Sequence, residues 1–183
     1  LSASTGAIGD DTRVILYAPT WRDGASDPGA PTTDEWAQIA RWLDTHDAVL
    51  LVRSHPLGLG DYAAGPAASG RIRMLGSAEL TDVTPALAGV DALITDYSSI
   101  AYDYSLTGGP IVFYAPDVEQ YARKRGLYED YRTFSDDRAV ARWEHVLDQL
   151  DAIGTDTDLG HRLAEHTAWL RNEHFDHRDG RAA

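Results

Sequence analysis

The chain has no cysteine and a single lysine, Lys124, among its 183 residues. Without thiols there is no disulfide framework, no thiolate zinc site and no cysteine nucleophile; the redox compartment stays open, with a lean to the cytoplasm. Positive charge is scarce: 16 Lys and Arg stand against 29 Asp and Glu, for a formal net charge of -13 and a pI near 4.7. Such a surface excludes a nucleic-acid-coating role, which rests on clustered cations against phosphates. One anionic ligand remains possible, because a local pocket of backbone N–H groups and an arginine or two outweighs a distant, screened field. No apolar run approaches the roughly 20 residues that span a bilayer. Residues 1–11 lack the charged-then-apolar pattern of a signal peptide, so the chain is expected to be soluble as written.

Several motifs are missing as well. No Gly-x-Gly-x-x-Gly fingerprint and no P-loop occurs, which disfavours NAD and ATP as ligands. The absence of a Gly-x-Ser-x-Gly elbow removes the usual Ser-His-Asp hydrolase. His161, His166, His174 and His177 surround Glu165, but positions five apart on a helix point to different faces, so no metal is expected there.

What is present is an α/β pattern. With 43% apolar residues the chain can bury a core as one domain. Short β-branched runs at 13–18, 48–52, 71–75, 92–95 and 110–114 read as buried strands. Helical spacing appears at 33–45, 84–88, 98–107 and 117–125, then at 136–153 and 158–173. The segments 23–33 and 58–70, rich in Gly, Ala, Pro and Asp, read as loops. The alternation predicts a Rossmann-like open, mostly parallel sheet flanked by helices.

Three strand ends carry polar chemistry. In Asp91-Ala-Leu-Ile-Thr-Asp-Tyr-Ser-Ser-Ile100, a strand runs into Asp96 and then into Ser98 and Ser99 at a helix start. Unpaired N–H groups and two hydroxyls there suit phosphate oxygens; the plainer alternative is a serine cap with Asp96 fixing the turn. In Arg53-Ser-His-Pro56, Arg53 suits phosphate and His55 suits a diphosphate oxygen or a departing phosphate. The alternatives are a surface ion pair and a turn residue. In Tyr17-Ala-Pro-Thr-Trp-Arg22, Arg22 reaches either phosphate or solvent, the latter beside a core Trp21.

Taken in order, these three segments resemble the CDP-glycerol glycerophosphotransferase family of teichoic acid primases and polymerases. The resemblance continues through Tyr102-Asp-Tyr-Ser-Leu-Thr-Gly108, Pro110-Ile-Val-Phe-Tyr114, Asp117-Val-Glu-Gln-Tyr121, Arg125-Gly-Leu-Tyr128 and the segment from Phe175 to Ala182. It departs at Gly109, where relatives often carry Lys or Arg, and at Leu127, where Phe is common. The resemblance implies the C-terminal, donor-binding half of a GT-B type transferase, with 1–183 as one nucleotide-donor domain of a longer protein.

It further implies CDP-glycerol or a related CDP-alcohol as donor and a polyol-phosphate wall polymer as acceptor. No cofactor and no nucleic acid partner are implied. An N-terminal acceptor domain would supply a His-Gly motif that this chain lacks, so the chain alone is expected to bind better than it turns over. His55 is implied as the catalytic donor, with Arg22, Arg53, Asp96, Ser98 and Ser99 around the donor phosphates. The implied setting is cytoplasmic, with the full-length protein peripheral at the inner face of the membrane. The competing readings are a CDP-ribitol or nucleotide-sugar transferase and a non-catalytic nucleotide-binding module.

Overall fold

The computed structural model describes residues 8–9, 11–22, 25–78, 80–127 and 130–175. Strands β1 (Arg13–Ala18), β2 (Ala48–Val52), β3 (Ile72–Met74), β4 (Ala92–Thr95) and β5 (Ile111–Phe113) form one sheet in the order β3-β2-β1-β4-β5. Every pairing is parallel. Both faces of such a sheet must be covered, and the alternation along β1 shows how. Ile15 and Tyr17 face a core with Trp36, Ile39, Leu43 and Trp143, whereas Leu16 and Ala18 face a second core with Ala101, Tyr104 and Leu170.

The first core is covered by α1 (Thr33–Thr45) and α7 (Trp143–Ala152), the second by α4 (Ile100–Ser105) and α8 (Asp158–His174). Helix α1 starts where the sequence dictates: the Thr32 hydroxyl accepts from Glu35 N while the Glu35 carboxylate accepts from Thr32 N, a reciprocal capping box. Among the described residues no helix is long and apolar enough to cross a membrane.

Two expectations about elements fail. The expected loop 58–70 contains α2 (Leu59–Tyr62) and α3 (Ala64–Ala68), where Gly65 lets α3 sit against Ile72 and Trp36; an added Cβ would collide with both. The expected helix 136–153 begins only at Trp143. Asp136 and Asp137 adopt φ of 53° and 52°, a left-handed conformation no helix tolerates. Val140 then pairs in parallel with Tyr114, extending the edge beyond β5. Helices α5 (Val118–Arg125) and α6 (Tyr131–Phe134) complete the fold.

Gly109 has a physical reason here. Tyr104, fully buried, donates its hydroxyl to Val90 O at 2.9 Å, and a Cβ on residue 109 would overlap that hydroxyl. Gly109→Lys is therefore expected to destabilise the fold by about 1–3 kcal/mol, the usual cost of overpacking. Chemical denaturation measures it, and an unchanged midpoint would mean that Tyr104 yields without cost.

Candidate functional site

The strand order creates one special place. The chain runs outward from β1 to β3, then returns to β4 on the other side of β1, so the crevice beyond the carboxyl ends of β1 and β4 is a topological switch point. Register brings three segments to it: Tyr17 lies opposite both Val52 and Ile94, so the residues after β1, β2 and β4 emerge side by side. Two bonds tie the strand ends: Thr95 Oγ1 donates to Ala18 O at 2.8 Å, and Arg53 N donates to Tyr17 O at 2.8 Å.

An open cleft of about 700 Å³ lies there, with Thr20, Trp21, Arg53, His55, Ser98 and Ser99 among its walls. His55 is exposed, and its ring stacks on Trp21 with centroids 4.7 Å apart and planes 22° apart. Nδ1 of His55 accepts from Leu57 N at 3.2 Å, so in the neutral ring Nε2 carries the proton and is the donor. Ser98 is half-buried and its hydroxyl accepts from Ile100 N at 3.4 Å, while Ser99 is exposed at the helix start.

Asp96 lies beneath the cleft rather than in its wall. One carboxylate oxygen accepts from Thr20 N at 2.9 Å, Thr20 Oγ1 at 2.6 Å and Tyr97 N at 2.6 Å. The other accepts from Arg22 Nη2 at 2.9 Å. Arg22 is buried, and it also forms a two-pronged bond to Asp117, Nε to Oδ2 at 2.9 Å and Nη2 to Oδ1 at 2.8 Å. Its Nη1 donates to Thr20 O. Neither alternative read from sequence for Arg22, phosphate or solvent, describes its contacts: Trp21 is half-buried at the cleft, and Arg22 is the interior residue, held by carboxylates.

Burial alone would raise the Asp117 carboxyl, but Arg22 and the Tyr97 hydroxyl hold it below the ordinary carboxylate value. Tyr97 itself is pushed well above an ordinary phenol by burial and by the neighbouring Asp117 charge, so it stays a donor. Arg53 lines the cleft, yet its guanidinium donates to Leu80 O at 2.7 Å and Thr81 O at 3.2 Å, fastening the segment after β3.

A second hollow of about 250 Å³ adjoins through Tyr97 and Ser99; Tyr102, Tyr121, Tyr131 and Leu127 also line it. Among the described residues no group of three or more His, Asp or Glu could hold a metal. His166 is buried, donating from Nε2 to Phe134 O at 2.8 Å, and His177 lies outside the described residues. Thr20, Tyr97 and Asp117 also belong to the site, through their bonds to Asp96 and Arg22 and to one another. Asp117 lies 95 residues from Arg22 in sequence, and nothing local announces that partnership.

Comparison with known proteins bears on the family and the fold. A family model described as CDP-Glycerol:Poly(glycerophosphate) glycerophosphotransferase matches residues 2–183. The chain is similar to the teichoic acid ribitol-phosphate polymerase TarK of Staphylococcus aureus, 30% identical over 173 residues, covering 93% of this chain and 32% of that protein. It is similar also to the teichoic acid glycerol-phosphate primase of Bacillus subtilis, 33% identical over 139 residues, 75% of this chain and 35% of that protein. The chain thus spans about a third of the length of these relatives.

Among solved structures, the wall teichoic acid polymerase TagF superposes with a TM-score of 0.67 at 24% identity, over 90% of this chain and 39% of that one. Staphylococcus aureus MnaA, solved with UDP, superposes with a TM-score of 0.56 at 17% identity, over 85% of this chain and 40% of that one. At these identities the likeness is one of fold, a Rossmann-like sheet of the GT-B kind.

Proposed function

The chain belongs to the CDP-glycerol:poly(glycerophosphate) glycerophosphotransferase family, and on that premise we propose that it is the donor-binding half of a transferase that moves glycerol phosphate from CDP-glycerol to a wall-polymer acceptor. The observation that carries this reading is the convergence of His55, Ser98 and Ser99 on one cleft at the switch point. In the proposed reaction an acceptor hydroxyl attacks the β-phosphorus. The new P–O bond forms as the bond to CMP breaks; CMP leaves with the electron pair, and the acceptor's hydroxyl proton passes to a base that the acceptor-side domain supplies in this reading.

His55 Nε2–H donates to the leaving phosphate as its charge grows, and the serine hydroxyls position the diphosphate. Arg22, Arg53 and Asp96 act as positioning residues, because their bonds are directed into the protein: Asp96 orders the turn after β1, Arg22 anchors α5 to it, and Arg53 holds the segment after β3. An acceptor-side domain in the full-length protein faces the cleft in this reading, which makes the chain alone a weak binder with no transfer activity.

Calorimetric titration tests the reading: CDP-glycerol and CMP are expected to bind above ADP-linked ligands, and equal affinity for all nucleotides would sink it. Ser98→Ala and Ser99→Ala should each weaken CDP-glycerol binding by about tenfold, the scale of one hydrogen bond to a charged group. The match to TarK, named for ribitol phosphate, favours CDP-ribitol as the second donor to test; competition between the two donors decides.

A further inference from the structure

The segment after β1 and the segment after β2 meet twice. At the cleft the His55 ring stacks on Trp21, with centroids 4.7 Å apart. Farther along both segments Asp27 is buried, and its carboxylate accepts from the Tyr62 hydroxyl at 2.6 Å and from Gly29 N at 2.8 Å. Asp27 N also donates to Asp61 Oδ2 at 3.2 Å. Asp61 and Tyr62 belong to α2, which follows His55 by way of the turn Pro56–Gly58. Between the two contacts the segments stand apart around an open hollow of about 310 Å³, with Trp21, Ala25 and Ser26 of one segment and Leu57 and Asp61 of the other in its walls.

These contacts close a ring. Arg22, fixed by Asp96 and Asp117, follows Trp21 directly, and its carbonyl accepts from Ala25 N at 3.0 Å, which ties Ala25 back to the fixed arginine. From Asp27 the link crosses to Tyr62, runs back along α2 and the turn to His55, and returns to Trp21 through the stack. Burial and the Asp27 charge push the Tyr62 hydroxyl well above an ordinary phenol, so it keeps its proton and stays the donor. Laying this segment onto the sheet does not need the crossing, because Gly29 O already accepts from the Tyr17 hydroxyl and from Trp143 Nε1, each at 3.1 Å. What the Asp27 carboxylate adds is the connection to α2.

We propose that Asp27 is a positioning residue for the transfer step: by holding Tyr62 it sets the His55 ring on Trp21, and with it the place of the Nε2–H in the cleft. The proposal rests on the reading of His55 as donor to the leaving phosphate and adds what keeps that donor in place. His55 is exposed, on the short stretch between β2 and α2. Its one ring hydrogen bond among the described residues comes from Leu57 N, two residues away, and moves with the same stretch. The stack therefore keeps its geometry only while the two segments keep their spacing, and the buried Asp27–Tyr62 bond is the shortest of the described hydrogen bonds between them.

The experiment measures transfer from CDP-glycerol to a glycerol-phosphate oligomer by the full-length transferase. Asp27→Asn and Tyr62→Phe are each expected to lower kcat about tenfold, part of the roughly hundredfold that a ~1 Å misplacement costs, and to leave KM for CDP-glycerol within about twofold. The double variant should lose no more than the worse single one, because both changes break one link. The NMR signals of the His55 ring protons, shifted by the ring current of the Trp21 indole, should move toward unstacked values in both variants. Thr157→Ala, which removes the cap of α8 and weakens the fold outside the ring of contacts, should leave kcat and those signals alone. Tyr62→Phe removes one oxygen and keeps the aromatic ring against Tyr17, so it carries the test even where Asp27→Asn does not fold.

Wild-type kcat in folded Tyr62→Phe, His55 signals that stay in place, or an equal loss in Thr157→Ala overturns the positioning role. So does a loss that appears in KM alone, since the link would then serve donor binding. A large kcat loss in His55→Ala with none in Tyr62→Phe overturns this proposal and leaves the reading of His55 standing. Near-wild-type turnover of His55→Ala defeats that reading, and the proposal with it.

Discussion

Replacing His55 with alanine is expected to lower turnover of the full-length transferase by roughly a hundredfold to a thousandfold, the loss of about 2.7–4 kcal/mol that follows removal of one donor to a developing negative charge. Donor affinity should change much less. The reason is geometric. With Nδ1 engaged by Leu57 N and the ring held flat on Trp21, the Nε2–H of His55 is a fixed donor in the cleft shared with Ser98 and Ser99.

In the proposed reaction the charge on the departing CMP phosphate grows from ground state to transition state, so the interaction strengthens along the reaction, and its loss appears in kcat rather than in binding. His55→Gln places an amide donor near the position of Nε2 and should recover part of the rate. His55→Asn mimics only the Nδ1 position and should not. Steady-state kinetics on variants shown by circular dichroism to be folded separate these outcomes. Near-wild-type turnover of His55→Ala would reduce the residue to a turn former ahead of Pro56.

The same residues show what a sequence discloses. β1, β2 and β4 are legible to the residue because each is a β-branched or aromatic run buried on both faces, a pattern that depends only on local composition. The placement of Ser98, Ser99 and His55 at strand ends follows from those strands, and their convergence follows from the switch point that a β-α alternation forces. What fails is set by partners far away in sequence. α2 and α3 form because Tyr62 packs on Tyr17 and Gly65 admits Trp36, contacts invisible in a stretch of small residues. Residues 136–142 look helical by composition, but Val140 finds a strand partner in Tyr114, and the two left-handed aspartates turn the chain toward it. For Arg22 the sequence offers only phosphate or solvent as partners, because its two carboxylates enter 74 and 95 residues later.

That buried arginine supports the second large effect. Arg22→Met is expected to cost about 3–5 kcal/mol of folding stability, the usual penalty for leaving a buried charge without its partner. For a chain of this size that lowers Tm by roughly 6–20 °C. Asp96 and Asp117 have side chains only 3% and 10% exposed, and both would be stranded. The fork matters as much as the charge: Nε and Nη2 meet the two oxygens of Asp117 while Nη2 also reaches Asp96, so Arg22→Lys should recover only part of the loss. A pH dependence distinguishes this tie from simple packing. Burial works to raise Asp117, yet Arg22 and Tyr97 hold it below the ordinary value. Its contribution is therefore fully present above the unfolded carboxylate value of about 3.9 and is lost as pH falls through the depressed folded value. Urea denaturation should thus show the full gap between wild type and Arg22→Met at neutral pH, narrowing once the pH drops below about 4. If the variant instead lost less than about 1 kcal/mol, the ordinary range for an exposed pair, while CDP-glycerol binding collapsed, Arg22 would be a phosphate ligand and the tie between the turn after β1 and α5 would have to be made by Asp96 and Thr20 alone.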